Sequence, residues 1–416
     1  MRKGFLLFLV ILVVPMLGAR RRSTLPPQGP TFDKEIVRVF QQNCQSCHRP
    51  GDIAPFSLLT YRDAAARADD IKYMTQTRKM PPWKAAEGCG DFAGVRAMSA
   101  QDIALIAAWA DAGAPEGNPA DLPAALTFSE SWTLGTPDLT LSMPKAFTPP
   151  PDRDEYRCFS LPTNATQDLW VSAVDFRPGD RGTVHHIVPF LDETGASAQL
   201  DKDGNGYQCF GGPLLDDEPQ VLGAWSPGAR ATLLPSGTAV RIPKGSRVIM
   251  QVHYHPHFGK VLPDRTEIGI YTAKDVVRKQ LHYDFVANTQ FVLPAGVADK
   301  QVDALVPLPI DIELVSIYPH MHLLGKRMSI EAVMPDGSKV CMINVPNYEF
   351  NWQGAYVYRT PLALPRGSKI HIEAHYDNSA QNFNNPNNPP RDVRWGEAST
   401  DEMCIALLGY TTPSGN

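Results

Sequence analysis

The sequence lacks the features that define several broad classes of protein. Beyond its first 19 residues, no apolar run approaches the length of about 20 residues that a helix needs to span a bilayer, and no low-complexity segment of note occurs. Positive charge is not in excess, since 39 Lys and Arg stand against 44 Asp and Glu and the net charge is −5. These absences argue against a second membrane span, and against nucleic acid or an anionic membrane surface as the main partner.

Residues 1–19 have the layout of a secretory signal peptide. Arg2 and Lys3 precede an apolar stretch from Gly4 to Val14, and the small residues Gly18 and Ala19 suit cleavage. An uncleaved N-terminal anchor is the alternative, because three arginines follow directly. In both cases we expect the rest of the chain to be exported, periplasmic or secreted, with membrane contact only if the segment is not cleaved.

A chain of 416 residues is too long for one ordinary core, so several domains are expected. Apolar residues first recur at helical spacing, at Phe32, Ile36, Val39 and Phe40. This predicted helix leads into the CxxCH motif Cys44-Gln45-Ser46-Cys47-His48. In such a motif the two thiols add to the haem vinyl groups and the imidazole ligates the iron. A zinc site would need a second Cys/His pair nearby, and none follows.

Met80 is the predicted second axial ligand of this haem, because the two prolines after it would hold its loop rigidly. Met74 and Met98 are the competing candidates. A closing helix is predicted from the N-cap Ser99 to Gly113. The region is similar to cytochrome c in its motif, its size and its two bracketing helices. We therefore predict a small all-α cytochrome c-like haem domain over 31–116, followed by a linker over 117–130.

Beyond the linker, helical periodicity gives way to short alternating strands between Gly, Pro and Asn turns. Over 247–255 and 369–377, apolar side chains occupy one face while polar and histidine side chains occupy the other. Strands of this kind continue through two successive stretches of roughly 140 residues each. They predict two antiparallel β-sandwich, jelly-roll-like domains, over 131–275 and 276–416. The predicted fold is therefore multidomain, with one all-α domain and two β domains.

Histidines are concentrated in these predicted β domains. Seven of the 11 cluster in sequence, at His185, His186, His253, His255, His257, His320 and His322. In an extended strand an HxH pair presents both imidazoles on one face, as a single metal requires. Adjacent histidines point to opposite faces, so the first pair could share a metal only at a strand end or a bulge.

Four segments resemble, in this order, the motifs of the copper type II, ascorbate-dependent monooxygenases, which include dopamine β-monooxygenase and peptidylglycine α-hydroxylating monooxygenase. The segments are His185–Val188, Gln251–Tyr254, Pro319–Lys326 and Asp401–Cys404. The resemblance covers roughly residues 131 to 412. It implies an electron-transfer copper held by His185, His186 and His253. It also implies an oxygen-binding copper held by His320, His322 and Met403. Imidazole suits both copper oxidation states, and a thioether favours Cu(I).

The function that the resemblance implies is a copper monooxygenase that hydroxylates a C–H bond of a small organic substrate with O2. Its catalytic residues would be His320, His322 and Met403, and its cofactors two copper ions and haem c. An external donor, either an ascorbate-like reductant or a redox protein, would supply electrons. We hypothesise that the haem passes them to the first copper. The alternative is a non-enzymatic electron-transfer or copper-handling protein.

Placement within the family also implies two disulfides, Cys158–Cys209 and Cys341–Cys404, which an exported protein permits. Cys89 would then be a free thiol in the haem domain.

The sequence departs from peptidylglycine-hydroxylating relatives at the positions that hold the substrate carboxylate. Tyr318, Ile405 and Leu407 stand there, so we expect a less polar substrate. His255 shares a face with His253; a solvated strand-end residue is the favoured interpretation and support of the metal site the other.

Overall fold

The computed structural model describes residues 29–50, 52, 54–128, 132–216, 219–227, 229, 231–255 and 261–413. The predicted signal peptide and His257 lie outside the described residues. Within these ranges the chain is mostly β, with several antiparallel sheets and few helices. None of the helices in this part of the chain has the length and apolarity required to cross a membrane.

The first part of the chain is helical and has its own apolar core. A π-helical turn, Phe32–Ile36, continues into α1 (Val37–Asn43), and α2 (Tyr61–Ala65), α3 (Ala68–Gln76) and α4 (Ala100–Asp111) follow. Phe32, Phe40 and Trp109 pack together at the centre of this core. Ser99 caps α4 by accepting a 3.0 Å hydrogen bond from the backbone N–H of Asp102, as the sequence predicts. A 3₁₀ turn, Pro119–Asp121, ends this helical segment.

Two sheets enclose the second core. Their elements are β1 (Leu139–Ser142), β2 (Glu155–Pro162), β3 (Leu169–Arg177), β4 (Val184–Asp192), the short helix α5 (Ser197–Leu200), β5 (Tyr207–Gln208), β6 (Thr238–Ile242), β7 (Arg247–Tyr254), β8 (Glu267–Thr272) and β9 (Lys279–Gln280). The strand orders are β1-β8-β3-β6-β9 and β4-β7-β2-β5, antiparallel apart from the β6–β9 pair. We call this unit the first β half.

The second β half repeats the arrangement around a larger core. Its strands are β10 (His282–Asn288), β11 (Val292–Leu293), β12 (Lys300–Pro307), β13 (Ile312–His320), β14 (Gly325–Val333), β15 (Lys339–Val345), β16 (Tyr356–Leu364), β17 (Lys369–Tyr376), β18 (Val393–Arg394) and β19 (Cys404–Thr411). They form two four-stranded sheets, β10-β19-β13-β16 and β12-β17-β14-β15, and the separate two-stranded pair β11-β18. In β17, Ile370, Ile372 and Ala374 are buried while the intervening residues face outward, because neighbouring side chains on a strand alternate in direction.

The disulfides correct one of the expected pairings. Cys158 bonds Cys209, as the resemblance implies, but Cys341 bonds Cys89 rather than Cys404. The expected Cys341–Cys404 pair is prevented by the fold, because Cys341 lies exposed on the edge strand β15. Cys404 begins β19 in the other sheet, where it is fully buried as a free thiol. Cys89 is therefore not a free thiol, and it ties the helical segment to the second β half.

The helical segment also contacts both β halves through side chains. Trp83 and Phe92 pack against Tyr356 of β16, with ring centroids 5.0 and 5.3 Å away. On the other side, Arg181 of the first β half forms a 3.3 Å ion pair with Asp52, just after the CxxCH motif. The segment thus lies against the two β halves at once.

Candidate metal centres

The first centre is formed where β4 and β7 pair. His186 lies opposite His253, and the register shifts between Val184 and His186, which places His185 in a bulge. The bulge allows two adjacent histidines to face the same point, which a regular strand forbids. The Nδ1 atom of His186 lies 3.2 Å from Nδ1 of His185 and 3.4 Å from Nδ1 of His253. Three imidazole nitrogens therefore converge at a distance that suits a single metal ion.

A carboxylate behind this centre fixes the orientation of His253. Asp154 accepts hydrogen bonds from Nε2 of His253 at 3.1 Å and from Nδ1 of His255 at 2.6 Å. Ser399, from the second β half, also donates to it at 2.9 Å. With Nε2 engaged, Nδ1 of His253 is the nitrogen that remains for a metal. Burial alone would raise the pKa of Asp154, but the hydrogen bonds from the two histidines outweigh it and hold that pKa far below its usual value.

His255 is thus a support of the first centre through Asp154, rather than a merely solvated strand-end residue. The ring of Tyr156 stacks on the buried ring of His253, with centroids 4.1 Å apart and planes only 8° from parallel. Burial lowers the pKa of both His253 and His186. The imidazoles are consequently neutral at physiological pH, as metal ligands must be.

The second centre lies where β13 ends and β19 begins. His320 is the last residue of β13 and pairs with Ile405, so that Met403 falls at the same edge of the sheet. The rings of His320 and His322 are 5.0 Å apart. Nδ1 of His322 donates to the Asp401 carbonyl at 3.2 Å, which leaves Nε2 for a metal.

Two buried polar groups hold these ligands in place. The Gln353 side-chain oxygen accepts a hydrogen bond from Nδ1 of His320. Glu402 accepts backbone N–H bonds from His322 at 2.9 Å and from Met403 at 3.2 Å, and so joins the two ligand segments. Burial lowers the pKa of His320 to about 4 and that of His322 to about 3, so both are neutral.

Both centres open onto one cleft of about 780 Å³ between the β halves. Its lining includes His186 of the first centre and His320, His322 and Met403 of the second. The rest is mainly apolar and aromatic and includes Val188, Phe190, Val221, Trp395, Ile405 and Leu407. Among the described residues that line it, Asp284 and Glu397 are acidic and none is a lysine or an arginine. The cleft therefore suits an apolar molecule better than an anion.

The CxxCH residues have features that fit a covalent haem. Cys44 and Cys47 are both unpaired thiols, whereas four of the other five cysteines form disulfides. Nδ1 of His48 donates to the Phe56 carbonyl at 3.2 Å, which fixes the ring and leaves Nε2 for an iron. Cys44 packs against the helical core, and burial raises the pKa of its thiol to about 12.

Met80, the predicted second axial ligand, lies elsewhere in the helical segment. It lines a cavity of about 260 Å³ together with Trp83, Met98 and Ile103, and the lining does not include Cys44, Cys47 or His48. The competitor Met98 is buried in the helical core, and Met74 is exposed. The axial role of Met80 stays a prediction.

One segment of the chain matches a known protein family. Residues 298–415 match the family model of the C-terminal domain of copper type II ascorbate-dependent monooxygenases. This segment contains His320, His322 and Met403. The first centre and the helical segment precede it.

Curated relatives agree with that match. The chain is 32% identical over 124 residues to peptidyl-glycine alpha-amidating monooxygenase A of Xenopus laevis and 30% identical over 125 residues to the Mus musculus enzyme. Each alignment covers 29% of this chain and 12% of the relative. The chain therefore spans about an eighth of the length of these relatives. The solved structure of the infectious bursal disease virus VP2 subviral particle aligns with 72% of this chain and 76% of its own chain at 9% identity, but the TM-score of 0.19 does not support a shared fold.

Proposed function

We propose that the chain is a copper-dependent monooxygenase that hydroxylates a C–H bond of a small organic substrate with O2. The observation that carries this proposal is a pair of unlike ligand sets beside one cleft: three converging imidazoles, of which His186 lines the cleft, in the first β half, and two imidazoles with a thioether, which all line it, in the second. Bound copper would supply redox chemistry one electron at a time, and the thioether would favour Cu(I) at the second centre. Each turnover consumes O2, two electrons and two protons, and yields one alcohol and one water.

The chain's own residues would prepare both sets for this chemistry. The low imidazole pKa values keep protons off the ligating nitrogens. Asp154 and Gln353 fix which nitrogen of His253 and of His320 is available. The apolar lining would exclude water from the reacting bond. In this proposal His320, His322 and Met403 form the catalytic set, and His185, His186 and His253 the electron-transfer set.

The substrate is proposed to be uncharged and largely apolar. The named relatives act on peptidyl-glycine, whose carboxylate needs a cationic or strongly donating partner. In the described cleft lining no lysine or arginine is available for that role, and Tyr318, Ile405 and Leu407 are all part of the wall. An amidating activity on peptides is therefore not what we propose.

We further propose that residues 31–116 form a cytochrome c-like domain whose haem is attached at Cys44 and Cys47. The two β halves would be the two copper domains, with a boundary a few residues beyond the expected 275, because β9 pairs with β6 of the first half. The ion pair between Asp52 and Arg181 supports the relay hypothesis, because it joins the turn after His48 to the loop before His185. The haem would then pass electrons to the first centre. Two disulfides fit an exported, oxidising location.

The decisive experiment combines metal and haem analysis with oxygen uptake. The reduced, copper-loaded protein should contain two copper ions and one covalent haem and should couple O2 consumption to alcohol formation with small apolar substrates. A His320→Ala variant should keep the haem and lose the coupled product. Electron transfer without oxygen consumption would instead identify an electron-transfer or copper-handling protein.

The relay has a separate test. A Cys44→Ser/Cys47→Ser variant should lose the covalent haem while keeping both coppers, and its turnover with the external reductant should fall. Unchanged turnover without haem would rule out the relay and leave the copper chemistry standing.

A further inference from the structure

A single loop of the second β half reaches the ligands of both centres. It runs over 346–355, between β15 and β16. The ring of Phe350 stacks on His185 of the first centre, with centroids 4.7 Å apart and planes 21° from parallel. Its edge meets His322 of the second centre at 6.0 Å and 89°. At 7% exposure Phe350 is buried, so it fills the space between two ligands that belong to different halves.

Gln353, in the same loop, contacts a third ligand, His320. Its side-chain oxygen accepts from Nδ1 of His320 and, at 3.3 Å, from the hydroxyl of Tyr318. Its side-chain nitrogen donates to the Phe350 carbonyl at 2.8 Å, which links the two key residues within the loop. Both ends of this amide are therefore used, and a rotation of the side chain would break all three bonds.

The loop is anchored to both halves of the molecule. Ser226 of the first β half donates a hydrogen bond from its hydroxyl to the Gln353 carbonyl. In the second half, the Tyr348 hydroxyl donates to the Met321 carbonyl at 2.6 Å and accepts from the Met321 N–H at 3.0 Å. Met321 lies between the two ligating histidines of the second centre. The loop is thus hydrogen-bonded both to the segment that carries His320 and His322 and to the first β half.

We propose that the 346–355 loop is a clamp that sets the separation of the two centres, with Phe350 as the spacer and Gln353 as the group that aims His320. The proposal rests on the proposed function for its significance, because a fixed separation matters when single electrons must pass between the centres. Phe350 and Gln353 are positioning residues in this arrangement. Neither is expected to ligate a metal.

The first test needs no metal and uses hydrogen–deuterium exchange of the full-length apo-protein. Phe350→Ala should raise exchange by about tenfold in both the segment that carries His185 and the segment that carries His322, because the two halves lose a shared contact. Phe350→Tyr keeps the ring and should restore slow exchange. Phe176→Ala is the comparison for a general loss of packing, since Phe176 is also 7% exposed but lies in the core of the first β half; it should raise exchange within that half and leave the segment that carries His322 unchanged. Exchange that rises only within the loop would overturn the clamp.

The second test measures the distance between the centres by pulsed EPR of the Cu(II)-loaded protein. The wild-type and Phe176→Ala proteins should give one narrow distance distribution, and Phe350→Ala a broad one. Gln353→Ala should weaken copper at the second centre by about tenfold, whereas Gln353→Glu keeps the acceptor and should not. A narrow distribution in Phe350→Ala refutes the clamp but not the copper sites. Altered exchange in a protein that binds no copper would support the clamp and refute the proposed function.

Discussion

The two candidate metal centres lie beside one cleft, yet they are built in different ways. The first lies on paired strands, where a bulge in β4 brings His185 and His186 together opposite His253. The second lies where strands end, and its ligands are held by a carbonyl, an amide and a buried carboxylate. Strand pairing makes the first centre rigid, while the second depends on loops that converge on it.

This difference matches what each centre would have to do. A site that only passes electrons benefits from ligands that do not move between oxidation states. A site that must also accept O2 and a substrate benefits from an open position and a soft ligand. The first centre has three converging nitrogens and a carboxylate behind one of them. The second has a methionine, which lines the cleft together with Ile405 and Leu407.

The largest expected effect comes from removing the central ligand of the first centre. His186→Ala should reduce copper from two ions per chain to about one and lower turnover by more than about a hundredfold, because even the partners behind a ligand matter by about 10–100-fold. Metal analysis and product assays would measure both. His371→Ala is the control, since His371 lies on the outer surface of β17, between Asp303 and Glu331. Two coppers retained in His186→Ala would show that this centre is not the one we describe.

Met403→Leu should change copper binding at the second centre alone. It should weaken the binding of Cu(I) more than that of Cu(II). The two imidazoles would still take up Cu(II), but the loss of the thioether should weaken Cu(I) binding by about 10–100-fold and lower the copper potential. Competition with a Cu(I) chelator and X-ray absorption would detect the missing sulfur. Met342→Leu, a fully buried core change in the same half, should alter neither. Equal Cu(I) affinity in both variants would remove Met403 from the site.

Asp154→Asn should weaken the first centre by a smaller factor. An amide keeps one acceptor but presents N–H groups to a histidine that needs an acceptor, so His253 should lose its fixed orientation and copper affinity should fall by about tenfold. Competitive metal titration would measure the loss at this centre only. Asp152→Asn, at an exposed carboxylate nearby, provides the control. Identical titration curves for the two variants would mean that strand pairing alone orients His253.

The sequence was sufficient to predict two candidate ligand sets but not the residues that hold them in place. The HH and HxH motifs and Met403 are local signals, and His186, His320, His322 and Met403 line one cleft of the structure. The need for a bulge at His185 also follows from strand geometry. Asp154, Phe350 and Gln353 carry no such signal, because each acts on a histidine far away in sequence and is recognisable only once the chain has folded. The alternation of strands likewise predicted two β units without their strand order.

The cysteines illustrate the same limit. Cys158 and Cys209 are 51 residues apart within one β half, and the resemblance sufficed to pair them. Cys341 bonds a partner 252 residues away in the helical segment. That contact depends on how the segment docks on β15, and a family comparison restricted to the β region contains no information about it.

The smallest expected effect compares a cysteine close in sequence to each centre. That cysteine is disulfide-bonded in the first β half and free in the second. Strand β2, which follows Asp154, carries the Cys158–Cys209 disulfide, whereas Cys404, next to Met403, is a buried free thiol. Cys158→Ala/Cys209→Ala should therefore cost about 2–5 kcal/mol of unfolding free energy, and Cys404→Ala only about 1 kcal/mol. Denaturant unfolding and a non-reducing peptide map would check both. In Cys404→Ala the map should still contain a Cys89–Cys341 peptide, because β19 gains its rigidity from pairing with β10 and β13 and not from a covalent bond. A Cys341 that becomes free in that variant would restore the Cys341–Cys404 pairing that the structure contradicts.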